Sequence, residues 1–300
     1  MNKKRILITG GSGLLGQYLN LTLSKNFEIF SLYNKNSGNC IEYNSHRLDL
    51  KNSTELKKVF ETFRPDYLIH SAAITSTLIN NNYTLNDYYQ NNVVVTKNIS
   101  QLCATYNVRM IYISTDLVYD GNRGSFLDEN SKLNPASPYA ESKLLAEEYV
   151  KNFVDDFVIL RLSLLIGVGL NHSICHFQIL YQNLVEQKHT KLFIDQFRTP
   201  ISLIEASNVI NNIIEMNIPK GVYNLGGEER VSRFELGEIL VKKFNFDKNL
   251  LIPIKLKDVQ NVPFVQDVSL NVNKLKNLGI KFSSLEEMIE SSLFFKKERT

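Results

Sequence analysis

The sequence predicts an α/β fold: a doubly wound parallel sheet followed by a smaller C-terminal lobe. Three observations predict it. Over the first 165 residues short apolar runs alternate with amphipathic segments, the pattern of a parallel sheet covered by helices. The runs are continuous in β-branched and aromatic residues rather than alternating, as strands buried on both faces require. A glycine-rich turn, "ITGGSGLLGQYL" (8–19), stands directly after the first run and opens an apolar-periodic helix.

In chain order the strand candidates are "RILIT" (5–9), "EIFSLY" (28–33), "YLIHSAA" (67–73), "RMIYIS" (109–114) and "FVILRLS" (157–163). Helices are predicted after Gly13, around 53–63, over 85–106 and over 138–152. The last begins where Ser137 can cap free amides and Pro138 suits the first helical position. Past about 166 the pattern changes to helices with shorter strands, such as "GVYNLGG" (221–227), and no repeat or low-complexity linker marks the change. The expected division is a sheet domain over 1–165 and a lobe over 166–300, some segments of which return to the sheet domain.

Composition narrows the function classes. With 43% hydrophobic and 22% charged residues in 300, the chain has ample core for an ordinary globular protein. The net charge of +3, from 34 basic and 31 acidic residues, is spread along the chain. No basic run or basic helix face points to nucleic acid or an anionic membrane. The basic start "MNKKRILIT" is cut short by Gly10 and Gly11, which fits neither a signal peptide nor a membrane span, so the expected location is the cytoplasm. The three cysteines, Cys40, Cys103 and Cys175, are odd in number and widely spaced, as reduced thiols are. His172, Cys175 and His176 fall close together, and the two histidines would share a face of a helix. They lack a third ligand and an adjacent general base, so no metal site is expected.

Gly10, Gly13 and Gly16 stand three apart in the turn. Small residues there let the backbone approach a pyrophosphate, whose charge then sits at a helix amino terminus, as in a Rossmann-type dinucleotide site. Ser12, Leu14 and Leu15 complete that cradle. The second strand ends in "YNKN", where a free ribose hydroxyl would ordinarily meet a carboxylate. Asn34 and Lys35 offer an amide and an ammonium instead, which favours NADPH, with NADH compatible. The alternative is a solvated turn without selectivity.

Tyr139 and Lys143 in "PASPYAESKLLAEEYV" (135–150) stand one turn apart on one helix face. Taken alone, such a pair fits a surface face of an amphipathic helix as well as it fits chemistry. With the glycine loop in the same chain, the sequence resembles the extended short-chain dehydrogenase/reductases, and within them the dTDP-4-dehydrorhamnose reductase family of nucleotide-sugar 4-ketoreductases. The matching pieces run in order: "TGGSGLLG" (9–16), "LDL" (48–50), "HSAA" (70–73), "NVVVTKN" (92–98), "ISTDLVYDG" (113–121), "YAESK" (139–143), "RLSLLIG" (161–167), "DQFRTPI" (195–201), "GVYNLGG" and "DVSLN" (267–271).

The resemblance implies that Asp49 and Leu50 lie beside the adenine and that Ser71, Ala72 and Ala73 line the cofactor channel. It implies that Thr115, Tyr139 and Lys143 perform the chemistry, with Lys143 also holding the nicotinamide ribose. A lysine ammonium one turn away, together with the positive nicotinamide of the oxidised cofactor, is expected to lower the phenol pKa. Thr75, Asp116 and Arg198 are the implied substrate contacts, Arg198 offering a planar fork to a diphosphate. The alternative for Arg198 is a surface ion pair with Asp195. Two departures fall where the family shapes its substrate pocket. The acidic run after the strand's alanines is replaced by "ITSTLINNNYTLND" (74–87), and Val262, not arginine, precedes Pro263.

The expected activity is NADPH-dependent reduction of the 4-keto group of a nucleotide-linked 6-deoxysugar, so the implied partner is a nucleotide-diphosphate sugar. A homodimer is compatible with the chain. Two alternatives stay open: an NAD-dependent nucleotide-sugar epimerase, and a non-catalytic NADP-binding regulatory subunit. Leu117 after Asp116 stands where dehydratases carry the second member of an Asp-Glu pair, which argues against that branch.

Overall fold

Residues Arg5–Thr9 form β1, and their side chains alternate between two cores: Ile6 and Ile8 join one, Leu7 the other. The same division recurs along the sheet, because a strand turns successive side chains to opposite faces. This computed structural model describes residues 3–77, 82–122, 124–260 and 262–297. Part of the 74–87 departure therefore lies outside the described residues.

The further strands are β2 (Glu28–Tyr33), β3 (Ser45–Arg47), β4 (Tyr67–His70), β5 (Arg109–Thr115) and β6 (Phe157–Leu162). Together with the Gly221–Leu225 strand they make a seven-stranded sheet, in the order Gly221–Leu225, β6, β5, β4, β1, β2, β3. Every ladder is parallel. The five strands expected from apolar runs are all present, although the third ends at His70 and leaves Ser71–Ala73 beyond the sheet edge. β3 was not anticipated; its three residues, Ser-His-Arg, carry no apolar run.

One face of the sheet is covered by α1 (Leu14–Leu23) and by the Leu203–Glu215 helix packed against it. The other is covered by α2 (Ser53–Phe63), the Val95–Tyr106 helix and the Pro138–Phe153 helix. α2 begins where the Asn52 side chain accepts from the Glu55 amide at 3.1 Å and ends at Arg64 in the left-handed region, φ 49°. The single helix expected over 85–106 is three pieces: Leu85–Tyr88, a π-turn Tyr89–Val94, and Val95–Tyr106. Inside the π-turn, Asn92 accepts from the Ile74 amide (2.8 Å) and donates to the Ile74 carbonyl (3.0 Å).

The later residues add the helices His176–Val185, Arg233–Phe244 and Leu285–Lys297 and three small two-stranded pairings. In one of these Phe197–Arg198 runs antiparallel to Val231–Ser232, with Arg198 opposite Val231. Among the described residues no helix is long and apolar enough to cross a membrane.

Candidate active site

The glycine turn is set by backbone contacts that leave no room for a side chain. Gly10 has φ +70°, and a β-carbon there would lie 2.7 Å from the Ala72 amide nitrogen. One on Gly16 would lie 2.1 Å from the Gly10 carbonyl oxygen. Gly13 is the N-cap of α1, with no side-chain cap and no acidic residue in the first turn. Its amides therefore suit a dinucleotide pyrophosphate, with Ser12, Leu14 and Leu15 around them. Gln17, unremarkable in sequence, ties this turn to a later segment. Its amide group donates to the Ser12 carbonyl (3.0 Å), the Leu170 carbonyl (3.0 Å) and Ser173 Oγ (3.1 Å). Its Oε1 accepts from Asn171 Nδ2 at 2.7 Å.

At the end of β2, Asn34 and Lys35 are exposed. Arg47, brought there by β3, donates from Nε to the Asn34 carbonyl at 3.0 Å. A second cation thus joins Lys35 at the position read as the ribose pocket. Asp49 is exposed and lies 3.6 Å from Lys51, while Leu50 packs at the rim of the core.

After β4, Ser71 is held by its hydroxyl to the Thr9 carbonyl (2.7 Å); Ala72 and Ala73 are half-buried and Thr75 is exposed. His70, fully buried, sits between Thr9 Oγ1 (2.6 Å from Nδ1) and Thr96 Oγ1 (3.0 Å from Nε2). Burial first, and then the Lys143 charge, hold its pKa down to about 3, so the ring is neutral.

Thr115 ends β5, and Tyr139 and Lys143 occupy the first turns of the helix capped by Ser137 Oγ, which accepts from the Ala140 amide (3.3 Å). The fold brings Thr115 near enough for its hydroxyl to bear on the Tyr139 phenol, while that hydroxyl donates to Asp116 Oδ1 at 3.2 Å. Lys143 is only 2% exposed, its ammonium 4.1 Å from the centre of the Tyr112 ring. Burial, and secondarily the Asp116 charge, push the Tyr139 hydroxyl well above its ordinary value. Lys143 is itself brought down to about 7 by burial, against an opposing pull from Glu147.

Arg198 is 5% exposed and pairs not with Asp195 but with Asp116, Nε to Oδ2 3.5 Å. Asp195 instead accepts from the Leu256 amide at 2.9 Å. Asp116 also accepts from Thr115 Oγ1 (3.2 Å) and Ser163 Oγ (3.3 Å), so its carboxylate links Thr115 to Arg198. Arg233, absent from the sequence reading, is near enough for its charge to bear on Asp116 while its Nε donates to Gln196 Oε1 at 3.2 Å. His172 precedes the helix that His176 begins, so the two histidines share no helix face, and Cys175 Sγ donates to the Gly167 carbonyl (3.1 Å).

Comparison with known proteins agrees with the fold. Methionine adenosyltransferase 2 subunit beta of Xenopus laevis is 26% identical over 290 residues, covering 92% of this chain and 83% of that relative. The structure of dTDP-4-dehydrorhamnose reductase from Bacillus anthracis in complex with NADP superposes with a TM-score of 0.85 at 23% identity, covering 98% of this chain and 99% of that one. Bordetella bronchiseptica WbmG in complex with NAD and UDP superposes at 0.84 with 20% identity, covering 100% and 96%. The RmlD substrate binding domain model matches residues 4–294. The chain belongs to that family, the dTDP-4-dehydrorhamnose reductase-like branch of the extended short-chain dehydrogenase/reductases.

Proposed function

We propose that the chain is an NADPH-dependent reductase of the 4-keto group of a nucleotide-linked 6-deoxysugar. The observation that carries this reading is the convergence of Thr115, at the end of β5, with Tyr139 and the buried Lys143, one turn apart at the start of the Pro138–Phe153 helix. A bound reduced nicotinamide supplies a hydride, two electrons, to C4 of the ketone. Thr115 holds the carbonyl oxygen, and Tyr139 gives its hydroxyl proton to that oxygen as the C=O double bond becomes C–O–H. A phenol pushed upward by burial stays protonated at neutral pH, which suits the acid of a reduction. Lys143, fixed over Tyr112, is placed to hold the ribose hydroxyls next to the ring.

Lys35 and Arg47 at the end of β2 support NADPH over NADH, and the two residues have no carboxylate partner among the described ion pairs. Arg198 supports a diphosphate on the substrate. A second reading, a cofactor-binding subunit, is favoured by one observation: a relative aligned over 92% of the chain is itself a subunit.

The deciding experiment follows NADPH absorbance with a panel of nucleotide 4-ketosugars, using cofactor deuterated at the transferred position. One NADPH consumed per sugar, with deuterium at C4, supports the reductase, and Tyr139→Phe should lower kcat by about 10²- to 10⁴-fold while cofactor still binds. Turnover without net oxidation would indicate an epimerase. No turnover across the panel, with NADPH bound, would indicate the subunit.

A further inference from the structure

Arg233 is the first residue of the Arg233–Phe244 helix, directly after the Val231–Ser232 strand. That strand pairs with Phe197–Arg198, and the Arg233 amide donates to the Gln196 carbonyl (3.2 Å). The ladder therefore delivers Arg233 and Arg198 to the same corner of the cleft. The Arg198 charge bears on Arg233, and Asp116 bears on both.

The charges in this corner do not balance. Asp116 faces Arg198 at 3.5 Å, and Asp267 holds Arg230 at 2.7 Å, Nε to Oδ2. Arg233 has a neutral partner, Gln196 Oε1, at 3.2 Å from its Nε, and pairs with no carboxylate among the described residues. Three guanidiniums thus share two carboxylates, and the unmatched one feels the charge of Arg198. Burial lowers the Arg233 pKa to about 10, and Arg198 adds to the lowering. Like charges forced together in a partly desolvated corner favour an anion between them. The imidazole of His176, at the start of its helix, lies within reach of the Arg233 charge.

We infer that Arg233 supplies the second guanidinium for the substrate's diphosphate, opposite Arg198. The inference rests on the nucleotide-sugar reading above and names a residue that reading does not use. Arg233 acts by binding and orientation, not by proton transfer.

The test titrates UDP and dTDP into the full-length protein carrying bound NADP, and repeats it with Arg233→Ala, Arg233→Lys and Arg198→Ala. Arg233→Ala should raise the dissociation constant of the nucleoside diphosphate about 10- to 100-fold, as loss of one charge-assisted contact does. It should also flatten the salt dependence of binding, and leave NADP affinity and the thermal midpoint near the parent values. Arg233→Lys should recover part of the loss. A nucleoside monophosphate should bind parent and Arg233→Ala alike. If Arg198→Ala weakens diphosphate binding while Arg233→Ala does not, this inference is overturned and the nucleotide-sugar reading stands. If the parent binds neither diphosphate, both are overturned.

Discussion

Glu147 and Arg161 meet fork to fork in the interior: Oε2 lies 2.8 Å from Nη2 and Oε1 3.1 Å from Nε. Ser114 Oγ donates to the same carboxylate at 2.6 Å, and Arg161 Nη1 donates to Tyr119 Oη at 3.0 Å. Glu147 lies one turn beyond Lys143, so the pair fastens the helix that carries Tyr139 to β5 and β6.

Glu147→Gln should therefore destabilise strongly. It leaves the Arg161 guanidinium, 2% exposed, without its counter-charge, and breaking one side of such a pair costs about 3–5 kcal/mol. Urea unfolding followed by circular dichroism measures it; a loss below 1 kcal/mol would show that Tyr119 and the Glu129 carbonyl suffice for the guanidinium.

Gly16→Ala should cost cofactor affinity before it costs the fold. Its β-carbon would stand 2.1 Å from the Gly10 carbonyl and 2.8 Å from Gly11 Cα, so the turn must open. Overpacking of this kind costs about 1–3 kcal/mol. Calorimetric titration with NADPH should show weakened binding by a chain that still melts cooperatively, and unchanged binding would contradict the cradle.

Acid should weaken the fold through His70. Its folded pKa of about 3 lies below the ordinary 6.5, so between those values the unfolded chain binds a proton the folded one refuses. Its contribution is complete above pH 6.5 and is lost as pH falls towards 3. His70→Gln should show a shallower fall in unfolding free energy over that window; identical slopes would place the acid sensitivity elsewhere.

Cofactor choice should move with the cations at the end of β2. Lys35→Asp together with Arg47→Ala should raise the NADPH dissociation constant relative to that of NADH by about 10-fold or more, the scale of one charge-assisted hydrogen bond. Fluorescence titration through tyrosine suffices, since the chain has no tryptophan. A preference for NADH in the parent would end the argument.

Much of this architecture was legible because it rests on local periodicity. The unbroken apolar runs name five strands, and Gly10, Gly13 and Gly16 mark the turn through steric demands that a β-carbon violates. The Tyr139–Lys143 spacing survives translation into a helix face. β3 was invisible because three polar residues at a sheet edge make no hydrophobic signal, and Arg47 was lost with it. Gln17, Arg233 and the Glu147–Arg161 pair depend on contacts between different elements, where a charged or amide residue reads as surface. The burial that raises the Tyr139 phenol was hidden for the same reason: the spacing to Lys143 is local, whereas the burial of both groups is tertiary.

The Gly221–Leu225 strand has a consequence for how the molecule is made. It is the outer neighbour of β6, yet it emerges from the ribosome long after "FVILRL" has been synthesised. Until then β6 presents a row of unpaired amides and carbonyls on an apolar ribbon, the kind of edge that recruits other chains. A nascent or proteolysed chain ending near residue 165 should be a substrate for chaperones and prone to aggregate, and solubility in expression should recover only once residue 225 is included.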